Sequence, residues 1–207
     1  MKLSELFLQC LKIPYVSTGV SADYAVQRNG ETLYLFFEGS NGINDWKSNI
    51  NFPAKPYKRM GKTVWFAHSG FLKVWKEIEP HVKEHVLEKS VKKIIIAGYS
   101  HGAAIASLCH EYCWYNRPDI REKIYGYGFG SPRVFWGLKS KSVRKRWKNF
   151  TVIRNGNDIV THLPPILMCY SHVGKMLKIG KDGNYTAISS HYSLNILKEL
   201  RKEDSEK

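Results

Sequence analysis

The sequence predicts an α/β fold with a mostly parallel central sheet and helices on both of its faces. Short runs rich in β-branched and aromatic residues alternate with segments whose apolar residues recur at helical spacing. Neither an internal repeat nor a low-complexity linker interrupts the alternation, so we expect residues 1–207 to form one domain. In such a fold the ligand site lies at the carboxyl ends of the strands.

Strands and helices are predicted from the spacing of apolar residues. Five segments bounded by Gly, Asn or Lys are predicted strands: ETLYLFF, TVWFAH, VKKIIIAG, KIYGYGFG and NFTVIR. Two helices are predicted from apolar residues three and four apart, Phe71, Val74, Trp75, Ile78, Val82 and Val86 in one and Ala104, Leu108 and Tyr112 in the other. The order of these segments indicates repeated βαβ units.

The first residues and the cysteines bear on the compartment. MKLSELFLQCLKIP carries Glu and Gln within its apolar stretch and has no small-residue cleavage site, which favours an amphipathic helix over a signal peptide. No apolar run approaches the ~20 residues of a membrane span. We therefore expect a cytoplasmic protein, with release by a non-classical route left open. The four cysteines lack metal-site spacing and are predicted to be buried thiols.

The net charge of +14 favours anionic partners without distinguishing nucleic acid, anionic lipid and simple solubility. Basic residues cluster in KSKSVRKRWK, residues 139–148. This run is either a solvated helical face or a region drawn to an anionic membrane surface. Because no groove-reading or base-stacking motif is present, we expect no specific nucleic acid partner. The sequence does not indicate an oligomeric state.

The stretch GYSHGAAIA, residues 98–106, places a serine between two glycines where a predicted strand meets a predicted helix. In a G-x-S-x-G turn the serine adopts a strained backbone that exposes its hydroxyl, and small flanking residues relieve the crowding. Ser100 is therefore a candidate nucleophile. The N–H of His101, at the helix start, is a candidate oxyanion donor. Ser100 as an ordinary helix cap is the competing interpretation.

A serine nucleophile needs a base and an orienting acid further along the chain. Asp158 lies in a Gly/Asn turn after the strand NFTVIR, where an acid is expected. Three histidines follow it. His191 precedes a C-terminal helix and is preferred as the base, whereas His162 is expected to pack or cap and His172 to be structural.

Several ordered motifs resemble the fungal-lipase-like, class 3, lipases of the α/β-hydrolase superfamily. They span about residues 30–195 and comprise FEGSNGINDWKSNINF, AHSGFLKVW, GYSHGA, GFGSPRV, NGNDIVTHLPP, YSHVG and SSHYS. The resemblance implies that Ser100 is the nucleophile, His191 the general base and Asp158 its orienting acid. It also implies a second oxyanion donor at the N–H of Ser40.

The same resemblance makes residues 41–51 a lid candidate. Ile43, Trp46 and Ile50 give this segment an apolar side that would cover the site or face lipid, although a core helix is an equal alternative. The chain departs from the family pattern at Glu38, at Tyr99 and His101 beside the nucleophile, and at Ala103. These departures bear on how the lid is latched and on which acyl groups fit, and they leave the triad residues unchanged.

The expected activity is hydrolysis of lipid carboxylic esters through an acyl-enzyme, with no metal or organic cofactor implied. Two alternatives within enzymes are a phospholipase or lysophospholipase and a small-ester carboxylesterase. An alternative of another class is an inactive hydrolase scaffold that binds anionic membrane or nucleic acid through its positive charge.

Overall fold

A computed structural model describes residues 2–19, 23–39, 53–59 and 62–206. Within these ranges the chain forms ten strands and five α-helices. The strands are β1 (Tyr24–Asn29), β2 (Thr32–Phe37), β3 (Ala54–Arg59), β4 (Lys62–His68), β5 (Lys93–Tyr99), β6 (Ile124–Phe129), β7 (Phe135–Trp136), β8 (Phe150–Asn155), β9 (Tyr170–Ser171) and β10 (Lys175–Ile179). The helices are α1 (Leu3–Lys12), α2 (Ser69–Leu87), α3 (His101–Asn116), α4 (Lys141–Arg146) and α5 (Ser193–Ser205).

The main sheet has six strands in the order β1-β2-β5-β6-β8-β10. The first pair is antiparallel and every other neighbouring pair is parallel. This arrangement confirms the predicted α/β fold with a mostly parallel sheet. The central strand β5 is KIIIAGY, and its apolar residues are buried because helices cover both faces.

Alternate residues of the strands supply two apolar clusters. On one face Leu35, Phe37 and Ile96 pack with residues of α2 and α3. On the other face Phe36 and Ile95 pack with residues of α1 and α5. The two-residue period of a strand places successive side chains on opposite faces, so one sheet organises both clusters.

A second, antiparallel sheet contains β3-β4-β7-β9. The predicted strand TVWFAH lies here as β4 and pairs with β3 and β7, so it is not part of the βαβ series. Trp65 of β4 stacks on Phe135 and meets Trp147 edge-on, which joins this sheet to the core under α2 and α3.

Two further expectations concern cysteines and membrane spans. The prediction of four buried thiols is wrong for Cys169, which is exposed, whereas Cys10, Cys109 and Cys113 are buried. Cys169 has positive φ after a short 3-10 turn at the surface. Among the described residues, no helix has the length and apolar character needed to cross a membrane.

Candidate active site

Ser100 lies in the sharp turn between the end of β5 and the start of α3. Its φ of 56° and ψ of −120° are a strained conformation for a residue with a side chain. The Ser100 N–H donates to the Phe129 carbonyl oxygen at 2.9 Å, which ties the turn to β6. The Ser100 side chain makes no capping hydrogen bond to α3.

The glycines on both sides of Ser100 are required by close backbone packing. A Cβ built on Gly98 would lie 2.2 Å from the Gly102 carbonyl oxygen, and a Cβ on Gly102 would lie 2.2 Å from the Phe37 carbonyl oxygen. The turn can therefore form only because neither residue has a side chain. This contact also seats the start of α3 against the end of β2.

His191 connects the serine to a carboxylate. Its Nε2 lies 2.8 Å from Ser100 Oγ and its Nδ1 lies 2.9 Å from Asp158 Oδ2. With Nδ1–H donating to the carboxylate, Nε2 accepts from the serine hydroxyl. The exposed fractions are 4% for Ser100, 3% for His191 and 0% for Asp158. Such an arrangement can remove the serine proton in a low-dielectric setting.

Asp158 is fixed in the turn that follows β8. Its Oδ1 accepts from the Val160 N–H at 2.9 Å, which leaves Oδ2 directed at His191. Asn155, the last residue of β8, donates from Nδ2 to the Ser190 carbonyl oxygen at 2.9 Å. The strand that carries the acid therefore also holds the turn that carries the histidine.

Gly130 provides room for the histidine and the acid. A Cβ built there would lie 2.7 Å from His191 Cε1 and 3.0 Å from Asp158 Oδ2, and the residue has φ of +59°. The sequence alone predicted no role for this glycine. The motif GFGSPRV was the signal that marked its position.

Tyr99 is a second residue whose place the sequence did not predict. Its ring stacks on His191 with centroids 5.2 Å apart, and its hydroxyl donates to the His191 carbonyl oxygen at 2.7 Å. Burial, followed by the charge of Asp158, raises the pKa of Tyr99, so the hydroxyl stays protonated and remains a donor. The residue at this departure from the family pattern therefore contacts the proposed base.

The other two candidate histidines are directed at backbone atoms. His162 Nδ1 lies 2.9 Å from the Asp158 carbonyl oxygen, and His172 Nε2 lies 2.7 Å from the Thr161 carbonyl oxygen. Burial lowers the pKa of His172 to about 4, so its ring is neutral near neutral pH. Of the three histidines, the structure brings His191 to Ser100.

His101 and His68 form a neutral region beside the nucleophile. The His101 ring packs 5.3 Å from the Phe71 ring, and burial lowers the pKa of His101 to about 4. Burial, followed by the charge of His101, lowers the pKa of His68 to about 4. The backbone N–H of His101 belongs to the first turn of α3, the end of a helix that carries partial positive charge.

Ser40 and the lid candidates Ile43, Trp46 and Ile50 lie outside the described residues. The described chain stops before them at Gly39, where a built Cβ would lie 2.9 Å from the Tyr99 carbonyl oxygen. The end of β2 therefore comes close to the nucleophile turn.

Exposed apolar residues border the acid and the histidine. The exposed fractions are 38% for Ile159, 51% for Ile188, 52% for Tyr192 and 78% for Leu194. The Ile159 N–H donates to the Ala187 carbonyl oxygen at 3.0 Å, which joins the two segments that carry these residues. In the described ranges, no group of three or more His, Cys, Asp or Glu residues is placed to hold a metal ion.

Comparisons with known proteins are consistent with this geometry. Residues 34–168 match the family described as Lipase (class 3). The chain is 27% identical over 159 residues to secreted mono- and diacylglycerol lipase 1 of Fusarium solani, covering 75% of this chain and 46% of that protein. It is 29% identical over 182 residues to secreted mono- and diacylglycerol lipase A of Penicillium cyclopium, covering 84% and 56%.

Among solved structures, the triacylglyceride lipase of Rhizomucor miehei superposes with a TM-score of 0.65 and 25% identity, covering 80% of this chain and 63% of that one. The fold is therefore the α/β-hydrolase fold, as the resemblance implied. The chain spans about half the length of the curated relatives it matches.

The expected cytoplasmic location is wrong, since the similar lipases of Fusarium solani and Penicillium cyclopium are named as secreted. That expectation came from the first fourteen residues, most of which form α1. Leu6, Phe7 and Cys10 of this helix are buried against the main sheet and α5. The amphipathic pattern thus reports how the segment packs and carries no information about the compartment.

Proposed function

The chain belongs to the class 3 lipase family, and from this premise we propose that it hydrolyses carboxylic ester bonds of lipids through an acyl-enzyme. The observation that carries the proposal is the continuous contact from Ser100 Oγ through His191 to Asp158. We also propose that residues 1–207 form one domain, which the two apolar clusters on one sheet support.

In the proposed mechanism, Ser100 Oγ attacks the ester carbonyl carbon while His191 Nε2 takes the hydroxyl proton. Asp158 stabilises the resulting imidazolium through Nδ1–H. The tetrahedral intermediate collapses as His191 returns the proton to the departing alcohol, leaving an acyl group on Ser100. Water then attacks the acyl carbon, gives its proton to His191, and the fatty acid leaves as the serine regains a proton.

Negative charge on the ester oxygen requires donors. We assign one to the backbone N–H of His101. The position of His101, at the start of α3 and directly after the nucleophile, supports this role. The second donor, the N–H of Ser40, rests on the family motif alone. Burial keeps the rings of His101 and His68 neutral at neutral pH, so these side chains place no positive charge beside the oxyanion.

A lipid ester is favoured over a small soluble ester by the exposed apolar residues beside the site. Ile159, Ile188, Tyr192 and Leu194 offer apolar area that a lipid surface would cover. We infer that peripheral contact with lipid is made by these residues, next to the acid and histidine. Residues 139–148 lie where the strands begin, away from Ser100, so we do not assign to them the contact that brings the ester to the site.

The test is the change Ser100→Ala. Loss of the nucleophile should reduce ester hydrolysis by a factor on the order of 10⁶ while the thermal unfolding curve stays close to wild type. The assay uses p-nitrophenyl esters of increasing chain length beside emulsified triacylglycerol and a phospholipid. Ser142→Ala, on the exposed surface of α4, is the matched control and should retain full activity.

Covalent labelling separates an enzyme from an inactive scaffold. A fluorophosphonate should react with the wild-type chain and with Ser142→Ala, and not with Ser100→Ala. Labelling that persists in Ser100→Ala, or activity above a few per cent of wild type, would contradict the assignment of the nucleophile.

A further inference from the structure

A cavity of about 610 Å³ lies beside α4, away from Ser100. Six of its lining residues are cations: Lys139, Lys141, Arg144, Lys145, Lys148 and Lys175. No Asp or Glu is among the described residues that line it. A cleft lined by one sign of charge concentrates the field and attracts ions of the other sign.

The base of the cavity is held in place by core contacts. Val143, Trp147 and Val173 line it and are buried, with Trp147 1% exposed. Trp147 Nε1 donates to the Ser107 carbonyl oxygen at 2.8 Å, and buried Arg146 pairs with Glu111 at 3.4 Å. These contacts fix α4 against α3, so the cations extend from a rigid base.

Four of the basic residues follow one another along this segment. Lys141, Arg144 and Lys145 stand at i, i+3 and i+4 on one face of α4, and Lys148 lies in the turn after the helix ends at Arg146. Val143, Arg146 and Trp147 lie between them in sequence and are buried. The buried residues anchor the run to the core, and the basic residues between them extend into the cavity.

Two more cations, Lys139 and Lys175, come from outside the run of residues 141–148. Lys139 Nζ donates to the His172 carbonyl oxygen at 2.6 Å, which holds this ammonium group at the rim. Burial, followed by the charge of Arg144, lowers the pKa of Lys139. Like charges held this close repel one another, and a bound anion would relieve that repulsion.

The cavity is separate from the ester site. Lys175 begins β10 and pairs with Thr151 near the start of β8, whereas Asp158 follows the far end of β8. The four steps along the strand from Thr151 to Asn155 span roughly 13 Å. A ligand in the cavity would therefore lie at the opposite edge of the sheet from Asp158.

We propose that this cavity binds a ligand with clustered phosphate groups. Arg144 can bind phosphate oxygens through two parallel N–H donors, and the lysines act as point charges around it. The phosphates would belong either to a free polyphosphate or to a phosphomonoester lipid headgroup. Since the cavity lies at the opposite sheet edge, this proposal does not depend on ester hydrolysis.

The experiment uses the full chain and two probes. Calorimetric titration measures binding of inorganic pyrophosphate, and co-sedimentation measures binding to phosphatidylcholine vesicles with and without phosphatidic acid. The cavity variant combines Arg144→Gln, Lys145→Gln and Lys175→Gln. The matched control combines Lys76→Gln, Lys83→Gln and Lys89→Gln, all exposed on or just after α2. Each variant lowers the formal charge of +14 by the same three units.

We expect the cavity variant to bind at least about tenfold more weakly than wild type, because three charge-assisted contacts are lost. The control should stay within about twofold, since general screening acts alike on both variants. Unfolding temperatures without ligand should agree among the three proteins. Bound pyrophosphate should raise the unfolding temperature of wild type and control more than that of the cavity variant.

The two probes distinguish the source of the phosphate. Pyrophosphate binding that only the cavity variant loses supports a free ligand, and vesicle binding with the same dependence supports a headgroup. Failure of wild type to bind either probe, or equal weakening in both triple variants, would overturn the proposal. Hydrolysis of a soluble ester should be unchanged in both variants, so a failure of the ester-hydrolase proposal shows in that assay alone.

Discussion

At Tyr99 one side chain restrains His191 in two directions. The ring stacks on the imidazole, and the hydroxyl holds the carbonyl oxygen of the same residue. The other restraints on the imidazole come from Asp158 and from the space left by Gly130. Tyr99 is therefore a positioning residue, because it contacts the base and acts on the substrate through it.

The positioning role predicts different results for two substitutions. Tyr99→Phe keeps the stacked ring and loses the hydroxyl, so kcat should fall several-fold with little change in KM. Tyr99→Leu also loses the stack and should lower kcat by a further factor on the order of ten. Steady-state kinetics on a soluble ester measures both. If the two variants lose stability but keep wild-type kcat, Tyr99 is structural only.

The choice among the histidines gives a second prediction at this scale. His191→Ala should lose about as much activity as Ser100→Ala, because the two residues act as a unit. His162→Ala removes a contact to the Asp158 carbonyl oxygen and should retain most of its turnover. Both are measured by turnover per folded molecule, and the reverse order would make His162 the base.

Among the structural elements, the junction of β2, β5 and α3 limits the nucleophile turn most strictly. Gly102, in the first turn of α3, packs directly against the backbone at the end of β2. A Cβ built on Gly102 would lie 2.2 Å from the Phe37 carbonyl oxygen and 2.4 Å from the Glu38 carbonyl oxygen. The helix can bring the Ser100 turn to the sheet only at this spacing.

Gly102→Ala tests this packing because two physical effects predict opposite signs. Helix propensity alone predicts that alanine stabilises a helix by roughly 1 kcal/mol relative to glycine. The overlap with the β2 backbone predicts a loss of several kcal/mol and a misplaced Ser100. Denaturant unfolding and fluorophosphonate labelling should both report the loss. A gain in the free energy of unfolding would show that the junction relaxes readily.

How much of the fold was predictable differs between elements. The strands at the centre of the parallel sheet carry continuous apolar runs since they are buried on both faces, and those runs were identified from sequence. The strand β3 reads AKPYKR, and β10 reads KMLKI. Both strands are rich in polar residues because each pairs on one side only or is exposed to solvent. They form strands because a neighbouring strand pairs with them, and their own sequences do not indicate it. They were consequently missed.

The candidate site shows the same division. Ser100, Asp158 and His191 could be proposed from sequence because each stands in a local turn with a recognisable composition, and the structure brings their side chains together. The roles of Tyr99 and Asn155 were missed because they arise between residues 92 and 35 positions apart. The run 139–148 was treated as uniformly solvated or membrane-facing. Arg146 is instead buried against Glu111, a pairing that spans 35 positions.

Across the whole molecule, buried histidines determine how stability responds to acid. Burial is the leading cause that lowers the pKa of His68, His101, His110 and His172, each to about 4 from 6.5. They lie on different elements, from the start of α2 to the segment after β9. Folding therefore keeps four imidazoles neutral that the unfolded chain would protonate in weak acid.

The last prediction follows from the sign of this linkage. Between pH 6.5 and about 4 the unfolded chain binds more protons at these histidines than the native chain does. The free energy of unfolding should therefore fall as the pH falls through that window, by up to ~1.4 kcal/mol per pH unit for each histidine. His110→Gln removes one such group from the core beside Phe150 and should reduce the slope by about one proton's share, whatever its effect on stability at neutral pH. Ser142→Ala, which removes no titratable group from the exposed surface of α4, is the control and should keep the wild-type slope. Urea unfolding across the window measures all three proteins, and a flat wild-type profile would mean that the buried rings take up protons without unfolding.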